Sequence, residues 1–159
     1  MFNNLFSKGK IGSMDTKNRI VMTSMGNHLG NTDGTMSKAD IAFYGARAKG
    51  GVGVIFTEVS MVEESRGRGN LCQISVADDK YIPGLKELAD EIHKYNSKIV
   101  IQIYHPGRQG ISAVNGNLPM LAPSAIECQC VHQPTVAMTT KEVSDMVEKF
   151  ILEIGRAHV

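Results

Sequence analysis

Apolar positions along the chain follow two alternating rhythms. Residues 19–25 (RIVMTSM), 52–59 (VGVIFTEV) and 98–104 (KIVIQIY) are short, nearly continuous apolar runs rich in β-branched residues. That is the pattern of strands buried on both faces of a parallel sheet. Between the runs the spacing changes to 3.6 residues. Ser37, with Asp40 three positions on, resembles a capping box and opens a helix that runs to about Lys49, where Gly50-Gly51 ends it. Pro83 suits the first turn of a second helix, in which Ile82, Leu85, Leu88, Ala89, Ile92 and Tyr95 share one face. Thr139 with Glu142 repeats the capping pattern and starts a third helix, with Val143, Met146, Val147 and Phe150 as its buried stripe.

The connecting segments are polar. They comprise a glycine-rich loop with an Asp33-Gly34 turn, an Arg- and Gly-containing loop from Ser60 to about Lys80, and an irregular stretch from about Pro106 to Met138. No internal repeat or low-complexity segment interrupts the order. Three successive strand-helix units with short returns imply an α/β fold with a parallel sheet, either an open doubly wound sheet or part of a barrel. The loop after the first strand, TSMGNHLGNTDG, lacks the GxGxxG spacing that seats a pyrophosphate on a helix N-terminus. Polar residues gather instead at the C-terminal strand ends, where barrels build their sites: Thr23 to Gly26, Thr57 to Val59, and Gln102 to Arg108.

Gln102 sets a problem of its own. It interrupts a core-like strand, and a buried amide costs roughly 1–3 kcal/mol unless its hydrogen bonds are met. The strand then leaves through His105-Pro106-Gly107-Arg108, a sharp exit.

Composition narrows the function classes. The 159 residues are 42% apolar and 21% charged, as in ordinary globular proteins, with enough chain for a real core. A net charge of +1 carries no electrostatic footprint for nucleic acid or an anionic membrane. No apolar run approaches the ~20 residues of a spanning helix, and the start, MFNNLFSKGKIG, has no signal-peptide core, so a cytoplasmic location is expected. Cys72, Cys128 and Cys130 are an odd set that fits a reducing compartment. Cys128-Gln129-Cys130 reads as ordinary loop thiols, with His132 close by as the one feature that favours a metal.

Four segments, LFSKGKIGSMDTKNRIVMTSM, GGVGVIFTEVS, KIVIQIYHPGRQ and LAPSAI, in that order and spacing, resemble the N-terminal part of the old yellow enzyme family of flavin-dependent oxidoreductases. The resemblance is closest to the bacterial branch that includes 2,4-dienoyl-CoA reductase and related NADH:flavin oxidoreductases. It implies an eight-stranded (β/α) barrel, of which this chain supplies about three units. It also implies FMN at the C-terminal mouth, NAD(P)H as reductant and an activated alkene as small-molecule substrate.

Carried over residue by residue, the resemblance makes Gln102 the amide that bonds the flavin's pyrimidine edge, which offers both C=O and N–H. Thr23, Ser24, Met25 and Gly26 would lie beneath the ring. Position 26 is Cys or Thr in many relatives; Gly26 has no side chain to tune the flavin there, and its backbone N–H is the group that can still serve. Val59 matches a position whose backbone borders the flavin, and Glu58 beside it reads as a strand-end carboxylate or a structural ion pair. His28 aligns with a position that carries a substrate-facing Tyr in some relatives; an imidazole there can polarise a carbonyl, and the alternative is a solvated loop histidine. His105 and Arg108 belong to an H-x-G-R segment for which a structural role is favoured. Arg66 and Arg68 suit either an anionic substrate such as a CoA phosphate or a plain basic loop.

A complete barrel takes about 250 residues. The resemblance therefore places the family's main catalytic residues and phosphate loops after this segment, and leaves room there for a 4Fe–4S cluster, an FAD domain and a homo-oligomeric intact protein. Residues 1–153 are expected to be barrel sequence, whereas Ile154 to Val159, IGRAHV, read as one translation frame of a library adapter. The segment alone is expected to be inactive. A metal-dependent lyase or hydrolase barrel with His105 and Glu58 as ligands is the competing enzyme reading.

Overall fold

The computed structural model describes residues 2–158. A short helix, α1 (Asn3–Phe6), leads into a hairpin of β1 (Gly9–Ile11) and β2 (Met14–Thr16), turned at Gly12, whose φ of 58° favours glycine. Lys17 then donates to the Tyr95 carbonyl at 2.8 Å and to Ser97 Oγ at 3.0 Å, which pins the hairpin's exit near the start of the third parallel strand.

The main sheet is β3 (Val21–Met22), β4 (Val54–Met61) and β5 (Lys98–Tyr104), all parallel, in the order β3-β4-β5. Its connections are α2 (Lys38–Lys49) and α3 (Ile82–His93). The alternation expected from the sequence is therefore present. Tyr44 and Ala48 of α2 and Leu88 and Ile92 of α3 enclose Ile55 of β4 in one core cluster. A second cluster, Val62, Val76, Tyr81 and Leu85, receives Ile101 and Ile103 of β5 with Met146 and Phe150 of α4 (Thr140–Arg156).

Local signals hold at the helix starts. Thr139 and Glu142 form a full capping box, whereas Ser37 caps α2 by accepting from the Asp40 amide. The Asp40 carboxylate does not return to the cap; it accepts from Asn27 Nδ2 at 2.6 Å.

Four expectations need correction. The first strand pairs only over Val21–Met22; before it the Ile20 carbonyl takes the Gly53 and Val54 amides, and after it a serine side chain, Ser24, replaces the backbone ladder to β4. β5 is not buried on both faces: Ile101 and Ile103 pack under helices, while Gln102 is exposed on the opposite, open face. On α4, Met146 and Phe150 are covered but Val143 and Val147 are 41% and 53% exposed, since only one side of the helix meets the sheet. The stretch after Pro106 is less irregular than its composition suggests. It contains a parallel pair, β6 (Met120–Ala122) and β7 (Thr135–Ala137), whose β6 is fully buried. Among the described residues no helix is long and apolar enough to cross a membrane.

Candidate functional site

The C-terminal ends of β3, β4 and β5 lie side by side, and one threonine ties all three. Ser24 Oγ, beyond β3, donates to the Thr57 carbonyl at 2.7 Å, and the Gln102 amide of β5 donates to Thr57 Oγ1 at 3.3 Å. Sequence reasoning places Thr57 only within a polar strand end and misses this role. A signal for it exists, since a hydroxyl in an otherwise apolar strand must find a partner.

The β4–β5 register shifts at the same place. Phe56 pairs with Val100, yet Val59 pairs with Gln102, so β4 carries an extra residue opposite its neighbour. This bulge re-aims the strand: Glu58 turns to Tyr44 of α2, whose hydroxyl accepts the Glu58 amide at 2.7 Å, and Val59 comes beside Gln102. Thr23, Met25, Gly26 and Gln102 are exposed on the resulting mouth, with Ser24 and Val59 half-buried. Gln102 was expected to be a buried amide. Its side chain instead stands on the open face, available to a ligand, because no further strand of this chain covers that face.

His28 lies at the rim in the left-handed region, φ 57°. Its imidazole folds back over Gly26, where an added Cβ would stand 3.4 Å from Nε2. A side chain at 26 would start in van der Waals contact with the ring. Glu58 is fully buried and its carboxyl is pushed up to about 7, first by burial and second by the Asp40 carboxylate nearby.

The strand-exit histidine is structural. Gly107 N–H donates to His105 Nδ1 at 3.1 Å, so the proton sits on Nε2 and is given to Glu63 Oε2 at 3.0 Å. Lys149 of α4 meets Glu63 Oε1 at 2.8 Å. Together His105, Lys149 and Ser65 hold the Glu63 carboxyl down to about 2 against the cost of its burial, His105 contributing most. His105 and Glu58 thus have different partners, Glu63 for the one and Tyr44 for the backbone of the other, and nothing brings the two together as the metal-barrel reading requires. Among the described residues no group of three or more His, Cys, Asp or Glu is placed to hold a metal.

The remaining candidates are tied into loops. Arg68 Nη1 donates to the Leu71 carbonyl at 3.0 Å, and Asn115 brackets the Arg68 backbone from both sides. Arg66 lies near Glu142 at the start of α4. Arg108 is exposed in a short 3₁₀ turn. Cys128 is buried and Cys130 exposed within one turn, closed by His132 N–H to the Cys128 carbonyl at 2.9 Å.

Parallel strands joined by helices, with an open cluster of polar groups at their C-terminal ends, fit part of a (β/α) barrel with its site at the mouth. The family model described as the NADH:flavin oxidoreductase / NADH oxidase family matches residues 4–157, and the chain belongs to that family. It is 41% identical over 156 residues to the NADH oxidase of Thermoanaerobacter brockii, covering 98% of this chain and 24% of that protein. The fold superposes on 2-naphthoyl-CoA reductase in complex with 2-naphthoyl-CoA with a TM-score of 0.92, at 25% identity, covering 99% of this chain and 26% of that one. The old yellow enzyme from Pichia sp. matches at a TM-score of 0.86 and 23% identity, covering 97% of this chain and 42% of that one. The chain spans about a quarter of the length of the NADH oxidase and is the N-terminal portion of the family's barrel.

Proposed function

We propose that this chain forms the first strands of an FMN-binding barrel whose intact protein transfers reducing equivalents from NAD(P)H to an activated alkene, such as an enone or an enoyl or dienoyl thioester. One observation carries the reading: the Thr57 tie and the β4 bulge bring Thr23 to Gly26, Val59 and Gln102 to a single open mouth.

The residues present fit an isoalloxazine. Gln102 offers a free amide with donor and acceptor for the pyrimidine edge, Met25 and Val59 offer apolar contact, and Gly26 leaves its backbone accessible. FMN, when bound, supplies two-electron chemistry between nicotinamide and alkene. The chain's own task is to bind and orient. Gln102 fixes the ring edge, the segment from Thr23 to Gly26 supports the ring, Val59 borders it, and His28 at the rim can polarise a substrate carbonyl. The similarity to a reductase solved with an acyl-CoA supports a thioester among the substrates.

The intact protein, once purified, is expected to be yellow and to release FMN on denaturation. A colourless protein carrying stoichiometric zinc or manganese overturns the proposal.

A further inference from the structure

Hydroxyl groups surround the β4 bulge and take up its polar backbone. Thr57 and Glu58 of β4 stand opposite the single residue Ile101 of β5, between the pairs Phe56–Val100 and Val59–Gln102. Thr57 Oγ1 donates to the Glu58 carbonyl at 2.9 Å and accepts the Gln102 amide at 3.3 Å. The Thr57 carbonyl takes the Ser24 hydroxyl at 2.7 Å, and the Glu58 amide donates to the Tyr44 hydroxyl at 2.7 Å. Tyr44, Thr57 and Glu58 are each 0% exposed, so water cannot replace a lost partner.

The competing register is the regular one. Without the extra residue Glu58 would pair beside Gln102 and its carboxylate would reach the mouth. Solvent favours that slip, since burying a carboxylate is costly. The hydroxyl bonds oppose it. Tyr44 is the fixed point among them, because its ring is seated in the core with Ala48, Ile55, Leu88 and Ile92 and stands edge-on to the Phe43 ring at 5.2 Å. Through Tyr44, α2 sets the register of β4; through Thr57, β4 sets the position of Gln102.

We propose that Tyr44 and Thr57 are positioning residues for the cofactor: their hydroxyls lock the bulge, which keeps Val59 at the mouth, Glu58 out of it and the Gln102 amide in place for the pyrimidine edge. Neither side chain touches the ligand. The inference rests on the FMN reading above and adds the residues that hold its site in shape.

FMN titration of the intact protein, together with the flavin's reduction potential, tests it. Tyr44→Phe keeps the ring in the core and removes the hydroxyl. It is expected to weaken FMN binding about tenfold, the worth of one hydrogen bond, and to lower the potential as the Glu58 charge nears the flavin. Adding Glu58→Gln is expected to restore the potential. Thr57→Val is expected to weaken binding by a similar factor, and Thr57→Ser, which keeps the hydroxyl, to retain the natural affinity. In a Gln102→Leu background, Thr57→Val is expected to change affinity by less than about twofold, because its effect passes through Gln102. A general loss of folding would lower affinity in both backgrounds and would not be rescued by serine.

An intact protein that binds no FMN overturns the FMN reading and this inference with it. FMN bound with natural affinity in both single variants, a potential unmoved by Tyr44→Phe, or a Thr57→Val effect undiminished by Gln102→Leu overturns this inference alone. Thr57→Val and its serine control decide the matter should Tyr44→Phe fail to fold.

Discussion

Val59 stands beside Gln102 because β4 gains one residue after Phe56; in an unbroken register Glu58 would hold that place. A single bulge thus puts an apolar residue next to the exposed amide at the mouth and sends the carboxylate to the buried side of the sheet. Bulges recur beside active sites because they aim side chains that strict alternation cannot.

Gln102→Leu is expected to weaken flavin retention in the intact protein and leave the fold in place. Its backbone amide keeps the bond to Thr57, and its side chain supports no packing. Loss of hydrogen bonds to the ring edge costs roughly 1–3 kcal/mol, or about fivefold to a hundredfold in affinity. Fluorescence titration with FMN reads the change directly, and unaltered affinity removes Gln102 from the site.

Glu63 makes stability depend on acid. Its carboxyl is held down to about 2 by His105, Lys149 and Ser65, below the ordinary 4.5, so its contribution is complete above 4.5 and lost as pH falls toward 2. Glu63→Gln is expected to cost about 2 kcal/mol near neutral pH and to flatten the acid limb. Urea unfolding of the intact protein from about pH 3 to 7 measures both, and an equally steep limb in the variant assigns the acid sensitivity elsewhere.

Residues 1–159 produced alone are expected to self-associate and to show no NAD(P)H-dependent reductase activity. The face of β5 that carries Gln102 is open, and on α4 Val147, Ile151, Leu152 and Ile154 are each at least 50% exposed. Size-exclusion chromatography with light scattering checks this. A monomer that unfolds cooperatively and binds FMN saturably is the contrary result.

Local chemistry is legible along the chain itself. The caps at Ser37 and Thr139, the Pro83 helix start, the buried face from Leu85 to Ile92 and the spans of β4 and β5 appear close to where the spacing places them, because each depends on residues within a turn or two. The ordered motifs are enough to place the chain in its family's barrel. What the chain does not reveal along its length are relations between distant segments: the β4 bulge, the Thr57 tie from Ser24 to Gln102, the parallel β6–β7 pair, and the bond from the Glu58 amide to the Tyr44 hydroxyl. Gln102 shows the division most clearly. Its apolar neighbours announce a strand, but whether its amide is buried or open depends on which strands lie alongside it. Asp40 shows it as well, since its backbone amide follows the local cap while its carboxylate answers to Asn27, thirteen positions earlier. Cap and turn hydrogen bonds follow from a residue's own sequence neighbours; burial, the bonds between distant segments, and with them the charge a carboxyl can bear, follow from what folding brings together.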